Sequence, residues 1–409
     1  MSEIFLVFSH ILLFVTLYFE VFLLLTLFEN KQELRRGAPA PRRLPSVSIL
    51  VPCWNEAKTL VETINSLLAL DYPKNKLFIS IIDDGSTDST WRVAQRFRKH
   101  PQVKLFQKEN GGKWTALNFG LLNTSSELVG CLDADSLVAP DALLNIVERF
   151  SDLSIMAVTP NIQVHEPQTL LQHIQKAEYS LSVFIRKCFA ILGSVYITPG
   201  PFSIFRREVF EKIGPYKHAH HTEDMEIAMR MQLHGMKIDN AHDAVIYTKT
   251  PHTIRKLFKQ RLRWVYGFLN NALDHKQFFF KKEFGNLGLF ILPMAALSVF
   301  SALYFAGYAI WNAGILISNK ITEVSAVGLS LPHFNLDLFF FNTQSIFFIS
   351  IVLLSLTLGI ILTGKFLTEG KIRFTRDILY FFAFYSFLAP LWLAGALYNT
   401  IFSRSITWR

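Results

Sequence analysis

The sequence predicts an α/β protein: a cytosolic domain built on a mostly parallel, Rossmann-like sheet and carried by transmembrane α-helices. Three observations lead there. Apolar strand-like runs alternate with helical stretches from Ser46 to Asp133, the rhythm of a parallel sheet covered on both faces. Polar clusters stand where those runs end, and ligands of such sheets bind beyond the carboxyl ends of the strands. Long apolar runs flank the region on both sides, and roughly 20 apolar residues suffice to cross a hydrocarbon core of about 30 Å.

Taken in order, Ile4 to Phe28 is the first apolar run, interrupted mainly by His10 and Glu20. A signal peptide needs basic residues before a shorter apolar stretch and a cleavage site of small residues after it. Here Glu3 precedes the run and Glu29, Asn30 and Lys31 follow, so the segment is expected to be retained as a helix within residues 1–30. Residues 31–45 form a basic linker with Pro and Gly. Strands are expected at Ser46 to Trp54, Phe78 to Asp83, Val103 to Gln107 and Leu128 to Asp133, with helices near Asp88 to His100 and Lys113 to Leu122. The α/β domain is placed at 46–250, and 251–285 reads as interfacial helices, basic and aromatic with an uneven apolar face. Residues 286–409 hold about three spans, at Leu287 to Trp311, Ser345 to Thr363 and Ile378 to Ile401.

The 409 residues include 38 Phe and are 51% hydrophobic, with net charge +9, too apolar for one ordinary soluble domain. Lys31, Arg35, Arg36, Arg42 and Arg43 after the first span, and Lys281 and Lys282 before the second, put the central region in the cytoplasm of a multi-pass plasma-membrane protein. By alternation the loop with Lys365, Lys371, Arg373 and Arg376 is cytosolic too, whereas Arg404 and Arg409 fall outside, against the rule. Juxtamembrane basic clusters favour anionic lipid as partner, and no nucleic-acid motif or zinc spacing is present, so no nucleic acid is expected. Cys53, Cys131 and Cys188 lie in the cytosolic part, where disulfides are not expected.

The polar clusters carry chemistry. Asp133 and Asp135 point the same way if the backbone there is extended, and their hard oxygens suit Mg²⁺ or Mn²⁺ bridging to a diphosphate. In Asp83-Asp84-Gly85-Ser86-Thr87-Asp88 a strand ends and a helix starts, with Thr87 or Asp88 as cap. One of the two acids before the glycine, Asp83 or Asp84, is left to accept from a nucleobase N–H, and Trp54 offers a face for that base to stack on. Gly111-Gly112-Lys113 allows close backbone approach and adds a point charge, without the spacing of a P-loop. Thr222-Glu223-Asp224 opens a helix with Thr222 as N-cap. The two acids offer a candidate base, although a helix start lowers a carboxylate pKa and a base needs it raised. His220 and His221 read as surface or packing residues. Gln260, Arg263 and Trp264, at i, i+3 and i+4, share one helix face: Arg263 suits diphosphate oxygens and Trp264 a pyranose ring.

Together these residues, in this order from about Pro45 to Gly267, resemble the processive family-2 glycosyltransferases, the inverting membrane synthases of cellulose, chitin, hyaluronan and poly-N-acetylglucosamine. The resemblance is nearest to the compact poly-N-acetylglucosamine type, with Thr-Glu-Asp as the base motif. It implies a GT-A domain, a divalent metal, a UDP-sugar donor and a polysaccharide or lipid-linked acceptor. It places Trp54, Glu56, Asp84, Lys113, Asp133 and Asp135 on the donor nucleotide, with Asp135 and Asp133 on the metal. Asp224 becomes the catalytic base, and Glu223, Gln260, Arg263 and Trp264 serve acceptor and diphosphate. An accessory membrane subunit or a homo-oligomer stays open. The alternatives are a non-processive transferase adding one sugar to a lipid, and a catalytically silent membrane scaffold.

Overall fold

The computed structural model describes residues 3–32, 43–328 and 345–402. Arg35, Arg36, Arg42, Arg404 and Arg409, used above to orient the chain, lie outside the described residues.

The strands are β1 (Val47–Cys53), β2 (Leu77–Asp84), β3 (Val103–Lys108), β4 (Leu128–Cys131), β5 (Ser136–Val138), β6 (Ile155–Val164), β7 (Ile204–Arg206) and β8 (Lys237–Thr248). They form one sheet in the order β3-β2-β1-β4-β7-β6-β8-β5. The first half is parallel, β1 pairing with β2 on one side and β4 on the other, and β2 with β3. The second half mixes directions: β7 is antiparallel to β4 and β6, β8 parallel to β6, and β5 antiparallel to β8. The sheet is thus mixed and mostly parallel, as expected.

A strand buried on both faces is apolar along nearly its whole length, and β1 shows this, its one polar residue Ser48 meeting the Ser126 hydroxyl at 2.7 Å. Ile49 and Val51 join one core, with Leu60, Ile64 and Leu67 of α2 (Leu60–Leu68). Leu50 joins the other, with Ala116 and Leu117 of α4 (Lys113–Leu122). Chain order reverses between β2 and β4 around β1, so the crevice of the switch point opens at the carboxyl ends of β1 and β4.

The helix expected from Asp88 to His100 is shorter. It is α3 (Thr90–Ala94) followed by a 3₁₀ turn at Gln95–Phe97, tightening where Phe97 and Val93 pack on the sheet core. Asp88 caps it as anticipated, accepting from Thr90 N at 2.8 Å. The remaining helices of the domain are α5 (Ala142–Arg149), α6 (Leu170–Ile191), α7 (Arg207–Ile213) and α8 (Glu223–Leu233). The longest of them, α6, starts in a capping box: Thr169 accepts from Gln172 N and the Gln172 side chain reaches back.

Next come α9 (Ile254–Asp274), 3₁₀ turns at Lys276–Phe278 and Lys282–Phe284, then α10 (Leu292–Val327), α11 (Ser345–Glu369) and α12 (Arg376–Ile401). Together with α1 (Glu3–Glu29), the last three supply, among the described residues, four helices long and apolar enough to cross a membrane: Phe5–Glu29, Leu287–Ala326, Ser345–Glu369 and Arg376–Ile401. Glu20, the acid inside the first, faces α11, where the Thr357 hydroxyl donates to it at 2.7 Å. Lys365, expected in a loop, is instead inside α11 and 1% exposed. Its ammonium stands 3.5 Å from Asp377 and 3.6 Å from Glu369, because a buried charge persists only when answered by carboxylates. Asp377 also meets His173 of α6 at 2.5 Å, so ionic contacts fasten the α/β domain to α11 and α12.

The same junction depends on a missing side chain. A Cβ on Gly364 would run into the Ser180 carbonyl of α6, and small residues are what let helix backbones approach this closely. Gly364→Ala is expected to cost about 2 kcal/mol through overpacking, read as a lower thermal unfolding midpoint of the detergent-solubilised protein; an unchanged midpoint would mean the helices separate freely.

Candidate active site

The site forms where β1, β2 and β4 end. Trp54 follows β1 in a turn and is half-buried. Asn55, with φ 58°, turns its side chain so that Oδ1 accepts from Thr87 N at 2.9 Å and from Asp88 N at 3.3 Å, joining the ends of β1 and β2. Glu56 accepts from the Thr59 hydroxyl at 2.9 Å.

Asp84 is 3% exposed and committed to protein. Its carboxylate pairs with Lys108 at 2.6 Å and accepts from Gly112 N at 2.9 Å and Gly111 N at 3.2 Å. A carboxylate holding successive backbone amides fixes their loop, so in this structure Asp84 shapes the Gly-Gly turn. That turn delivers Lys113 at the start of α4.

Lys113 is the hub. Its ammonium lies 2.5 Å from Asp133 and 3.4 Å from Glu223. Burial works against this cation, but Asp133 and then Glu223 outweigh it and hold Lys113 charged, its pKa raised. Gly200, in the turn before β7, lies over the pair; a Cβ there would stand 2.5 Å from Lys113 Nζ and 3.3 Å from the Asp133 oxygens. The sequence reading passed over Gly200. Its signal was the Pro-Gly-Pro tripeptide, which marks a turn without saying what the turn covers.

β4 ends at Cys131, and Ala134 and Asp135 form a turn before β5. The alternation rule for an extended chain therefore does not apply to Asp133 and Asp135; the turn sets their separation instead. Burial, then the charges of Asp133 and Glu56, raise the Asp135 pKa to about 7. Three acids crowd here with one lysine between them and Glu223. This donor set of hard oxygens with surplus negative charge fits a divalent cation, which takes one or two carboxylates and leaves its other positions to phosphate and water. Among the described residues no group of three or more His, Cys, Asp or Glu is arranged to hold a metal by protein alone.

Thr222 is the N-cap residue of α8, as expected, but its side chain makes no capping bond; its hydroxyl donates to Ala219 O at 3.1 Å and accepts from Asn271 Nδ2 at 2.8 Å. Asn271 belongs to α9, so this bond ties α9 to the acidic turn. His220 pairs with Asp274 at 2.9 Å, a packing role as expected. The difficulty over Asp224 is settled by burial: desolvation, then Glu223, raise its pKa to about 6, against the lowering by Lys113 and by the Met225 amide it accepts from. Burial outweighs the helix start.

On α9, Trp264 is 38% exposed while Gln260 and Arg263 are half-buried. The residue the sequence reading missed is Arg261. It is 3% exposed, bonds Glu178 of α6 at 2.6 Å, and stacks on the Trp264 ring at 4.2 Å. The Tyr385 hydroxyl of α12 donates to the same Glu178 at 3.2 Å. The i, i+3 spacing of Arg261 and Trp264 was a signal for this stack.

Lys113→Met would leave Asp133 and Glu223 without their cation. Stability should fall by about 3 kcal/mol, the cost of breaking a buried ion pair from one side, and thermal unfolding measures it; an unchanged midpoint would show the lysine to be peripheral.

Residues 45–267 match the family model described as "Glycosyltransferase like family 2". The poly-beta-1,6-N-acetyl-D-glucosamine synthase of Staphylococcus epidermidis is 28% identical over 322 residues, 78% of this chain and 76% of the relative. The enzyme of that name from Staphylococcus aureus (strain COL) is 33% identical over 227 residues, 55% of each. Among solved structures, the mannosyltransferase PcManGT from Pyrobaculum calidifontis, in complex with GDP-Man and Mn²⁺, superposes with TM-score 0.64 at 21% identity, over 97% of this chain and 99% of that one. That likeness extends the fold match to the long apolar helices. The family model, which spans the α/β domain and runs into α9, makes this chain a member of the glycosyltransferase family 2, an enzyme of the GT-A fold.

Proposed function

We propose that the protein is a membrane-embedded, inverting polysaccharide synthase that passes sugar from a UDP-linked donor, N-acetylglucosamine by likeness to its named relatives, to a growing chain in processive fashion. The observation that carries this reading is Asp224: a half-buried carboxyl with its pKa raised to about 6, joined through Glu223 and Lys113 to the acids of the donor crevice.

In this mechanism Asp224 takes the proton of the acceptor hydroxyl as that oxygen attacks the anomeric carbon in line. The bond to the nucleotide diphosphate breaks, and the configuration inverts. Asp135 and Asp133 would hold Mg²⁺ or Mn²⁺, which when bound neutralises charge on the departing diphosphate. Lys113 and Arg263 add fixed positive charge on the same side. Trp54 stacks the base. Trp264, flat and half-exposed with Arg261 behind it, carries the acceptor sugar. The four apolar helices seat the enzyme in the plasma membrane, catalytic domain in the cytoplasm, and elongation is coupled to export. Basic residues next to the spans, Lys31, Lys281 and Lys282 among them, meet anionic lipid headgroups.

A radiolabelled donor screen in membranes, with sizing and linkage analysis of the product, tests the whole reading. A long polymer is expected; a lipid carrying one sugar would remove processivity and leave the transferase. Asp224→Asn should lower transfer at least about a hundredfold with UDP affinity retained, and full activity would remove Asp224 as base. The base works deprotonated, so wild-type kcat/KM should hold above pH 6 and fall about tenfold per unit below it. Asp135→Ala should abolish the gain in donor affinity that Mn²⁺ gives the wild type; the same gain in the variant would place the metal elsewhere.

A further inference from the structure

Half-buried Arg186 differs from three cations around the site that are set against carboxylates. Lys113 faces Asp133 and Glu223, Arg230 faces Glu226 at 2.7 Å, and Arg261 faces Glu178 at 2.6 Å. Arg186 has no such partner among the described residues. Its Nη1 donates to the Pro160 carbonyl of β6 at 3.1 Å and its Nη2 to the Ser182 hydroxyl one turn back at 3.1 Å. Five N–H donors on a guanidinium leave three beyond these two bonds. A half-buried guanidinium with no carboxylate in contact and donors left over is suited to bind an oxygen-bearing ligand. Burial pushes Arg186 down to about 10.

Its neighbours on α6 fix where it lies. Tyr179, Ser182 and Arg186 are spaced i, i+3 and i+7 and so share one helix face. At one end of that face Tyr179 meets the Arg261 guanidinium, 6.0 Å from its ring, and Arg261 in turn covers Trp264. At the other end Phe189, at i+3 from Arg186, packs on the apolar cluster that contains Met225, the neighbour of Asp224. The face therefore runs from the aromatic platform of α9 to the base.

We infer that this face of α6 is the acceptor subsite, with Arg186 donating to hydroxyl or acetamido oxygens of the sugar whose hydroxyl Asp224 deprotonates, and Tyr179 lining the path back to Trp264. The inference rests on Asp224 being the base and deepens the proposed function by naming what holds the acceptor. The ligand is a neutral, oxygen-rich sugar. Its oxygens supply the acceptors that the spare donors lack, and the cation needs no second charge because Asp224 stands nearby.

The test uses the purified full chain and whichever UDP-sugar of a panel the wild type consumes. One reaction yields two rates, sugar passed to acceptor and sugar lost to water, and UDP affinity is measured alongside. For Arg186→Lys and Arg186→Met the ratio of transfer to hydrolysis should fall roughly ten- to a hundredfold, the loss expected for hydrogen bonds from a charged donor. UDP affinity should stay within about twofold. An unchanged ratio overturns the inference, and so does a loss of UDP affinity with the ratio kept, which would place Arg186 on the donor. Should Arg186→Met fail to fold, Arg186→Lys keeps the stem and cation, and Tyr179→Phe probes the same face through its hydroxyl, with a fall in the same ratio expected. A wild type that adds a single sugar to lipid removes processivity, yet the ratio still reads the subsite.

Discussion

One ammonium group holds the site together. Lys113 reaches Asp133, at the end of a central strand, and Glu223, at the start of a helix some 110 residues further along the chain. Neither acid is tolerable in a crowded, partly desolvated crevice without a cation, and Lys113 is tolerable there only because both are present. Asp84 sets the Gly-Gly turn that aims the lysine, and Gly200 leaves room for the pair. Four distant segments are thereby locked into one arrangement by mutual dependence of charges.

The same arrangement sets the chemistry of the acids not directly held. Asp135 and Asp224 lie beside the Lys113 cluster, half-buried and near like charges, and both are pushed upward, to about 7 and about 6. The raised Asp135 records a crevice crowded with carboxylates, a surplus of charge that a bound divalent cation would relieve. A helix start by itself would have given Asp224 the opposite shift, so burial in the crevice, not the local motif, sets its direction toward the range a general base requires.

A second constraint runs from the site to the membrane helices. Arg261 uses Glu178 and Tyr385 to fasten α9 between α6 and α12, and Asn271 fastens it to Thr222. Lys365, Asp377 and His173 do the same lower on α6. Trp264 therefore has a fixed position relative to both Asp224 and the apolar helices, the register that the proposed chain extension would require.

Much of this was legible from the residues alone. Strand-like runs of Val, Ile and Leu flanked by polar clusters, and apolar segments of membrane length, are periodic signals, and they determine the parallel half of the sheet, the crevice at its strand ends and the four long helices. Motif residues were legible because their side-chain types have few other uses at strand ends. What only the tertiary structure decided is every pairing across long sequence separation: that Asp84 serves a glycine turn, that the Thr222 side chain turns to α9 instead of to its own helix amides, that Lys365 is buried among carboxylates, that Arg261 supports Trp264. It also decided the sign of the Asp224 shift and left Arg186 without a carboxylate. The physical reason is the same in each case. Periodicity and propensity are properties of neighbours along the chain, whereas desolvation and ion pairing depend on which distant groups the packed fold brings within a few ångströms.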